Sequence, residues 1–171
     1  MACGPHSLNA MLSHLRQRGL VAALTHQSLE KILLHEKITL YAGIDPSAPS
    51  LHVGHLLPLM VLLHFYLHGH KSIALIGNST VQLGDPSGRA TQRNEMDQLT
   101  QTSNANKISN QVSQFFENGR RYAFSHGFEK ARIGEIQTKS NQEWLGDLKM
   151  LDFMSHVGKN TRLSHMLARE R

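Results

Sequence analysis

The sequence has a single cysteine, Cys3, among its 171 residues, so it cannot contain an intramolecular disulfide. This argues against a small secreted domain held together by disulfides. Long apolar runs are also missing. The longest run, residues 56–63, is interrupted by Pro58 and is shorter than the roughly 18 residues that span a bilayer. We therefore expect no membrane segment.

Acidic residues are absent from the first 29 positions, which contain Arg16 and Arg18 together with several Ser, His and Leu. This composition weakly matches a mitochondrial targeting segment, although a disordered N-terminus has the same composition. We interpret residues 1–28 as an N-terminal extension with a targeting role.

The remaining composition is typical of a soluble globular protein, with 40% apolar and 18% charged residues. A chain of this length forms one domain with a sizeable core. The net charge of +5 suits a polyanionic partner but is too modest to identify one.

Apolar periodicity predicts a strand, a buried helix and a second strand within about 40 residues. Such a βαβ unit has parallel strands and a right-handed crossover. The fold class is therefore α/β with a Rossmann-like parallel sheet, in which ligands bind at the carboxyl ends of the strands. The predicted elements are a helix at 29–36, a strand at 38–44, a helix at 53–67, a strand at 71–77, one or two amphipathic helices at 94–122, a weaker strand at 132–139 and a helix at 145–154.

Two histidines, His52 and His55, flank Gly54 at the start of the buried helix. A helix start offers unpaired backbone N–H groups and a partial positive charge, so imidazoles added there favour phosphate binding. Gly54 would let a flat ligand approach the backbone closely. The alternative is an ordinary helix N-terminus with two solvated histidines.

Other polar residues follow the predicted strands. Asp45 and Asp85 would together hold a substrate ammonium group, and Tyr41 would reach a polar group in a pocket or else be a hydrogen-bonded core residue. Arg89 and Arg93 would supply mobile cations for phosphate, unless they belong to a solvated loop. No metal site is predicted, because His64 and His68 have ligand spacing but no further ligand pattern nearby.

Four segments together resemble class I aminoacyl-tRNA synthetases, and specifically the tyrosyl-tRNA synthetases. Residues 41–55 resemble the first-strand and HIGH-type motif of that family at nearly every position. Residues 77–89 resemble its second motif, residues 141–145 the third, and residues 153–159 the segment after it. The resemblance implies an incomplete catalytic domain over residues 29–171, with a HIGH-type nucleotide-binding site.

The resemblance also implies an activity: ATP, with Mg²⁺, activates tyrosine to tyrosyl-adenylate, and tyrosine then passes to tRNA-Tyr. His52 and His55 would stabilise the α-phosphate transition state. Ser47 stands in place of a family threonine near the γ-phosphate, and Arg89 and Arg93 would engage pyrophosphate. The implied ATP-binding residues are Gly43, Asp45, His52, Gly54 and His55, and the implied tyrosine-binding residues are Tyr41, Asp45, Thr80, Asp85 and Asn141.

Residues 18–20 and 48–50 look most like mitochondrial members of the family, which predicts the mitochondrial matrix, with the cytoplasm as the alternative. The resemblance also implies a homodimer for the full-length protein. The helix that completes the tyrosine pocket, the KMSKS-type loop and the anticodon-binding domains are not in this sequence. We therefore expect little or no aminoacylation by this chain alone. A non-catalytic nucleotide- or RNA-binding remnant, and another nucleotidyl-transfer enzyme with a HIGH-type site, are the alternatives.

Overall fold

The computed structural model describes residues 8–26, 28–83, 97–162 and 164. Three strands, β1 (Thr39–Ile44), β2 (Lys71–Ile76) and β3 (Glu135–Ser140), form one sheet. The helices are α1 (Leu8–Gln17), α2 (Leu29–His35), α3 (Val53–Leu67), α4 (Asn78–Leu83), α5 (Gln98–Ser125), α6 (Gln142–Leu145) and α7 (Met150–His156), with 3₁₀ turns at Lys130–Arg132 and Gly158–Asn160.

The sheet is parallel in the order β1-β2-β3, with Tyr41 beside Ile73 and Ile73 beside Gln137. β1, α3 and β2 therefore form the predicted βαβ unit, and the α/β fold class is confirmed. α3 begins after the extended residue His52 and ends before Gly69, whose φ of +86° is a conformation that glycine adopts without strain.

The main core lies between one face of the sheet and the helices α3 and α5. Strand residues alternate between faces, so Ala42, Ile44, Ala74 and Ile76 all point towards these helices. α3 is apolar nearly all round because it packs on the sheet, on α5 and on a second cluster. The buried helical residues of the main core are Leu59, Leu62, Leu63, Tyr66, Leu67, Ala105, Ile108, Val112, Phe116 and Ala123.

The opposite face of the sheet carries Tyr41, Gly43, Ile73 and Leu75 in neighbouring register positions. Tyr41 is 68% exposed, and Ile73 and Leu75 are partly exposed. The core face and the open face of the same strands thus differ sharply in burial.

The N-terminal segment contains a helix that the sequence analysis did not predict. Met11, Leu12 and Leu15 of α1 are buried against Leu33 of α2 and Phe65 of α3. These positions have the i, i+1, i+4 spacing of a helix face, so the apolar periodicity of the sequence could have predicted this helix. α1 is therefore packed on the body of the domain, within residues 1–28.

Three further differences concern element boundaries. α4 occupies positions 78–83, where no helix was predicted, and the one or two helices predicted at 94–122 are a single 28-residue helix, α5, which continues to Ser125. The single helix expected at 145–154 is two short helices, α6 and α7. α6 ends at Gly146, whose backbone N–H donates to the Gln142 carbonyl. A Cβ on residue 146 would lie 2.8 Å from that carbonyl oxygen, so a glycine suits the turn between the two helices.

Candidate active site

Polar residues from three successive strand ends meet at the carboxyl edge of the sheet. Asp45 follows β1, Thr80 lies in α4 after β2, and Asn141 follows β3. The Thr80 hydroxyl donates to Oδ1 of Asp45 at 2.9 Å and accepts from Nδ2 of Asn141 at 3.3 Å. The structure therefore brings these three sequence-predicted residues together, as expected for a parallel sheet.

Gly77 makes this convergence possible. A Cβ at position 77 would lie 2.0 Å from Oδ1 of Asp45 and 2.5 Å from the Thr80 hydroxyl. Its backbone N–H donates to the carbonyl of Ile44 at 2.9 Å and so extends the pairing of β1 and β2. Only a residue without a side chain fits between the carboxylate and the hydroxyl at this point.

Asn141 is 5% exposed and its hydrogen-bonding groups are used within the protein. Its backbone N–H donates to Ile76 at 3.0 Å, and its Oδ1 accepts the Ser79 N–H at 2.8 Å. It thus fixes the start of α4 against the end of β3. Sequence reasoning did not single out Asn78, whose buried Oδ1 has no hydrogen-bond partner within the described part of the chain.

His52 and His55 form a reciprocal capping box at the start of α3. Nδ1 of His52 accepts the Gly54 N–H at 3.1 Å, and Nδ1 of His55 accepts the His52 N–H at 3.3 Å. The rings stack with centroids 3.8 Å apart. Since both Nδ1 atoms accept hydrogen bonds, the hydrogen-bond network assigns the proton of each ring to Nε2.

Gly54 leaves room for the same arrangement. A Cβ at position 54 would lie 3.0 Å from Cε1 and 3.1 Å from Nδ1 of the His52 ring. The glycine thus accommodates the capping imidazole, which is a reason that the sequence pattern did not reveal.

The electrostatics at His55 favour its neutral imidazole. Burial is the main cause that lowers the pKa of His55. The neighbouring His52 lowers this pKa further, and the Asp45 carboxylate partly offsets both effects. A neutral His55 can accept at Nδ1 and donate from Nε2–H at the same time. The pair can therefore offer two N–H donors to an anion at a helix N-terminus, where the helix dipole also favours negative charge.

The turn before α3 is held by α5, which sequence reasoning missed. Asn104 is buried and its Nδ2 donates to the Pro46 carbonyl at 3.4 Å. Gln111 contacts the backbone at Pro49 and Leu51. A signal existed in the sequence, because positions 104 and 111 are polar and lie seven residues apart on the apolar stripe of α5.

The other sequence-predicted residues occupy different surroundings. Ser47 is partly buried, directly after the fully buried Pro46. Gly43 faces open space, with nothing within 4 Å of a Cβ placed there. Tyr41 is exposed on the open face of the sheet and is not a core tyrosine. The remaining predicted residues, Asp85, Arg89 and Arg93, lie outside the described residues.

The family profile described as tRNA synthetases class I (W and Y) matches residues 33–171. This chain belongs to that synthetase family. The family resemblance drawn from the motifs is thereby confirmed. The class I synthetase fold agrees with the three-stranded parallel sheet and its converging strand ends.

Individual synthetases show the same relationship. The chain is 42% identical over 165 residues to the mitochondrial tyrosine–tRNA ligase of Saccharomyces cerevisiae, covering 94% of this chain and 34% of that protein. It is 40% identical over 163 residues to tyrosine–tRNA ligase 1 of Bacillus subtilis, covering 94% and 36%.

Among the similar solved structures are two of C-terminally truncated mitochondrial tyrosyl-tRNA synthetases. The Coccidioides posadasii structure has a TM-score of 0.83 and 36% identity, covering 94% of this chain and 43% of that one. The Aspergillus nidulans structure has a TM-score of 0.87 and 30% identity, covering 97% and 46%. This synthetase chain spans about a third of the length of the curated relatives it matches.

The described residues contain neither a cluster of metal ligands nor a membrane-spanning helix. Within the described ranges, no three His, Cys, Asp or Glu side chains are arranged to hold a metal ion. No helix in those ranges combines the length and apolar character needed to cross a bilayer.

Proposed function

We propose that the protein carrying this chain is a tyrosine–tRNA ligase, and that this chain supplies the HIGH-type half of its adenylate-forming site. The observation that carries the proposal is the stacked imidazole pair of His52 and His55 at the start of α3. The pair lies near the hydrogen-bonded cluster of Asp45, Thr80 and Asn141, since the Asp45 carboxylate acts on the pKa of His55. Family membership supplies the reaction class.

In the proposed first step, a carboxylate oxygen of tyrosine attacks the α-phosphorus of ATP. A new P–O bond forms, the bond from the α-phosphorus to the bridging oxygen breaks, and pyrophosphate leaves with the electron pair. The product is tyrosyl-adenylate. Negative charge on the phosphate oxygens is redistributed in the transition state, and N–H donors already fixed in place stabilise it without reorganisation. The Nε2–H groups of neutral His52 and His55 can act as these donors.

In the proposed second step, a terminal ribose hydroxyl of tRNA-Tyr attacks the tyrosyl carbonyl carbon. The ester forms, the bond to the phosphate oxygen breaks, and AMP leaves. The proton of the attacking hydroxyl is released to solvent. Tyrosine and tRNA-Tyr are thus the partners proposed for the whole protein, in line with the named activity of the similar ligases.

The proposed tyrosine site combines the Asp45 and Thr80 oxygens with the open face of the sheet. A tyrosine ammonium group suits these acceptors, together with Asp85, and the phenol ring suits the exposed surface around Tyr41. Asn141 would shape this site by fixing α4, because its own amide is occupied by Ser79 and Thr80.

The proposed ATP site lies over Gly43, Asp45 and the start of α3. Gly43 leaves open space above β1, as an adenine or ribose would require. Ser47 would lie near the terminal phosphates, and Arg89 and Arg93 would engage the pyrophosphate. Mg²⁺ would arrive with ATP, since it is bound largely by phosphate oxygens and water in such sites.

Calorimetry with ATP and with L-tyrosine tests this proposal. We expect both to bind the chain, and we expect the double variant His52→Ala/His55→Ala to weaken ATP binding while leaving tyrosine binding within about twofold. His126→Ala, a change at an exposed histidine far along the chain, is the control. If ATP binds equally well to the double variant, the imidazole pair is not the phosphate site.

A chimera tests the whole activity. Replacing the matching third of the Saccharomyces cerevisiae mitochondrial ligase with this chain should preserve tyrosylation of tRNA-Tyr. The same chimera with both histidines changed to alanine should lose most of its ATP–pyrophosphate exchange. Equal exchange by the two chimeras would contradict the assignment.

We propose that the protein forms a homodimer through α6, α7 and the turn between them. This segment exposes many large apolar side chains, and Leu151 is 83% and Met150 79% exposed. Many large apolar side chains exposed in one segment are typical of an interaction site. The other exposed members are Trp144, Leu145, Leu148, Phe153, Met154 and Val157. Sedimentation should show a dimer for the natural chain and a monomer for Met150→Lys/Leu151→Lys.

We propose the mitochondrial matrix as the location, because several similar ligases are mitochondrial. Residues 1–28 remain the proposed targeting extension, and residues 29–171 the proposed partial catalytic domain. Removal of the whole extension would take the buried Met11, Leu12 and Leu15 from the fold. We therefore expect import without loss of α1, which mass spectrometry of the imported protein would show.

A further inference from the structure

Gln111, in the middle of α5, makes paired hydrogen bonds to the turn that precedes α3. Its Oε1 accepts the Leu51 N–H at 2.9 Å, and its Nε2 donates to the Pro49 carbonyl at 3.3 Å. The Ser50 hydroxyl donates to the same Oε1 at 3.3 Å. One carboxamide thus binds a backbone donor and a backbone acceptor two residues apart, as a neighbouring strand would.

These contacts fix the orientation of the carboxamide. The Leu51 N–H needs an acceptor and the Pro49 carbonyl needs a donor, so only one placement of the Gln111 oxygen and nitrogen satisfies both. A residue with two acceptors, or a shorter side chain, cannot reproduce the pair. Position 111 therefore requires a side chain that carries both a donor and an acceptor, and not only one of the right size.

The anchored turn leads directly into the imidazole pair. Leu51 is the residue before His52, whose extended backbone and Nδ1 cap the first turn of α3. Asn104 holds the other end of the turn at Pro46, and Ile108, which lies between the two amides on α5, is buried. α5 thus fixes the turn at both ends from a packed helix.

We propose that Gln111 is a positioning residue for the phosphate site, acting through Leu51 to set the place and orientation of His52 and His55. The ATP-binding consequence rests on the proposed function, whereas the geometric consequence does not. Loss of the carboxamide leaves the Leu51 N–H without its acceptor and lets the start of α3 shift. A catalytic donor displaced by a fraction of an ångström loses much of its effect.

The test compares Gln111→Ala and Gln111→Glu with Gln114→Ala, a matched change at an exposed glutamine of the same helix. Amide hydrogen exchange reports the Leu51 N–H, NMR signals of the two imidazoles report the pair, and calorimetry reports ATP and tyrosine affinity. Thermal unfolding of each variant reports overall stability.

We expect Gln111→Ala to speed exchange at Leu51 about tenfold, shift both imidazole signals and weaken ATP binding about tenfold, the size of one lost hydrogen bond. Tyrosine affinity should change less than about twofold. Gln111→Glu keeps an acceptor for the Leu51 N–H, so exchange at Leu51 should stay slow. It also places a carboxylate oxygen against the Pro49 carbonyl, and this repulsion should still shift the imidazole signals. Gln114→Ala should match the natural chain throughout.

Unchanged imidazole signals and Leu51 exchange in Gln111→Ala would overturn the positioning role. So would equal weakening of ATP and tyrosine binding together with loss of folding, because that pattern belongs to a purely structural residue. If the natural chain binds no ATP, the proposed function fails for this chain. The exchange and imidazole measurements then still decide the role of Gln111.

Discussion

Asn141 holds Ser79 across 62 positions of sequence: its side-chain oxygen accepts the Ser79 backbone N–H at 2.8 Å. This single contact ties the end of β3 to the start of α4. Through Thr80, it also reaches the carboxylate of Asp45. The carboxyl edge of the sheet is therefore one hydrogen-bonded unit.

Replacement of Asn141 by alanine should destabilise the fold. The Ser79 N–H would lose its acceptor in a partly buried site, which costs about 1–3 kcal/mol. Urea unfolding measures this loss. Asn106→Ala, at an exposed position on α5, is the control and should change stability by less than about 0.5 kcal/mol. Equal stability of the two variants would show that the hydrogen bond between Asn141 and Ser79 does not stabilise the fold.

Alanine at Gly77 and at Gly43 should have opposite effects. At Gly77 the new methyl group would collide with Asp45 and Thr80, so we expect a loss of about 1–3 kcal/mol. At Gly43 the methyl group meets nothing, and a strand position gains about 0.5–1 kcal/mol from alanine. Unfolding of both variants checks these signs.

Gly43→Ala has a second expected effect. Because its methyl group would project onto the proposed ATP surface, ATP affinity should fall although stability does not. Calorimetry on the folded variant separates the two. Unaltered ATP affinity would move the nucleotide away from this part of β1.

The variant His52→Asn should separate helix capping from phosphate binding. An asparagine oxygen can accept the N–H groups of the first turn, so stability should stay within a few tenths of a kcal/mol of the natural chain. The Nε2–H donor is lost, and ATP affinity should fall about tenfold. His52→Ala, which loses both, should also lose about 1 kcal/mol of stability. Normal ATP affinity in His52→Asn would be inconsistent with a phosphate role for this ring.

Stability should decrease as the pH falls below neutrality, because burial opposes protonation of His70 and His64 in the fold. Burial lowers the pKa of His70 to about 4, helped by Lys37 and His68. Burial likewise lowers that of His64 to about 4, helped by His68, His14 and Arg18. In the unfolded chain each binds a proton near pH 6.5, so the unfolded state takes up more protons.

The contribution of His64 and His70 to the free energy of unfolding is therefore fully present above pH 6.5. It is lost as the pH falls from 6.5 to 4. His70 is completely buried, and its shift corresponds to up to about 3 kcal/mol at pH 4. Urea unfolding between pH 7.5 and 4.5 should give a shallower pH dependence for His70→Asn than for the natural chain. His126→Asn, at an exposed histidine, should leave the slope unchanged.

Much of the site was predictable because strand ends in a parallel sheet meet at one edge. The strand–helix–strand pattern placed Asp45, His52 and the residues after β2 together, and the structure agrees for Asp45 and Thr80. Asp85, Arg89 and Arg93 remain predictions, since they lie outside the described residues. The exposure of Tyr41 was not predictable, because it depends on what covers the open face of the sheet.

The sequence by itself determined the parallel sheet, the buried helix α3 and the family, since periodicity and ordered motifs are local properties of a chain. The tertiary structure alone decided which distant residues hold the site. Gln111 and Asn104 reach back some 60 positions to the turn before α3, and Asn141 reaches back to Ser79. Local patterns report the face on which a side chain lies. They do not report its partner, because that follows from strand register and helix packing across the whole domain.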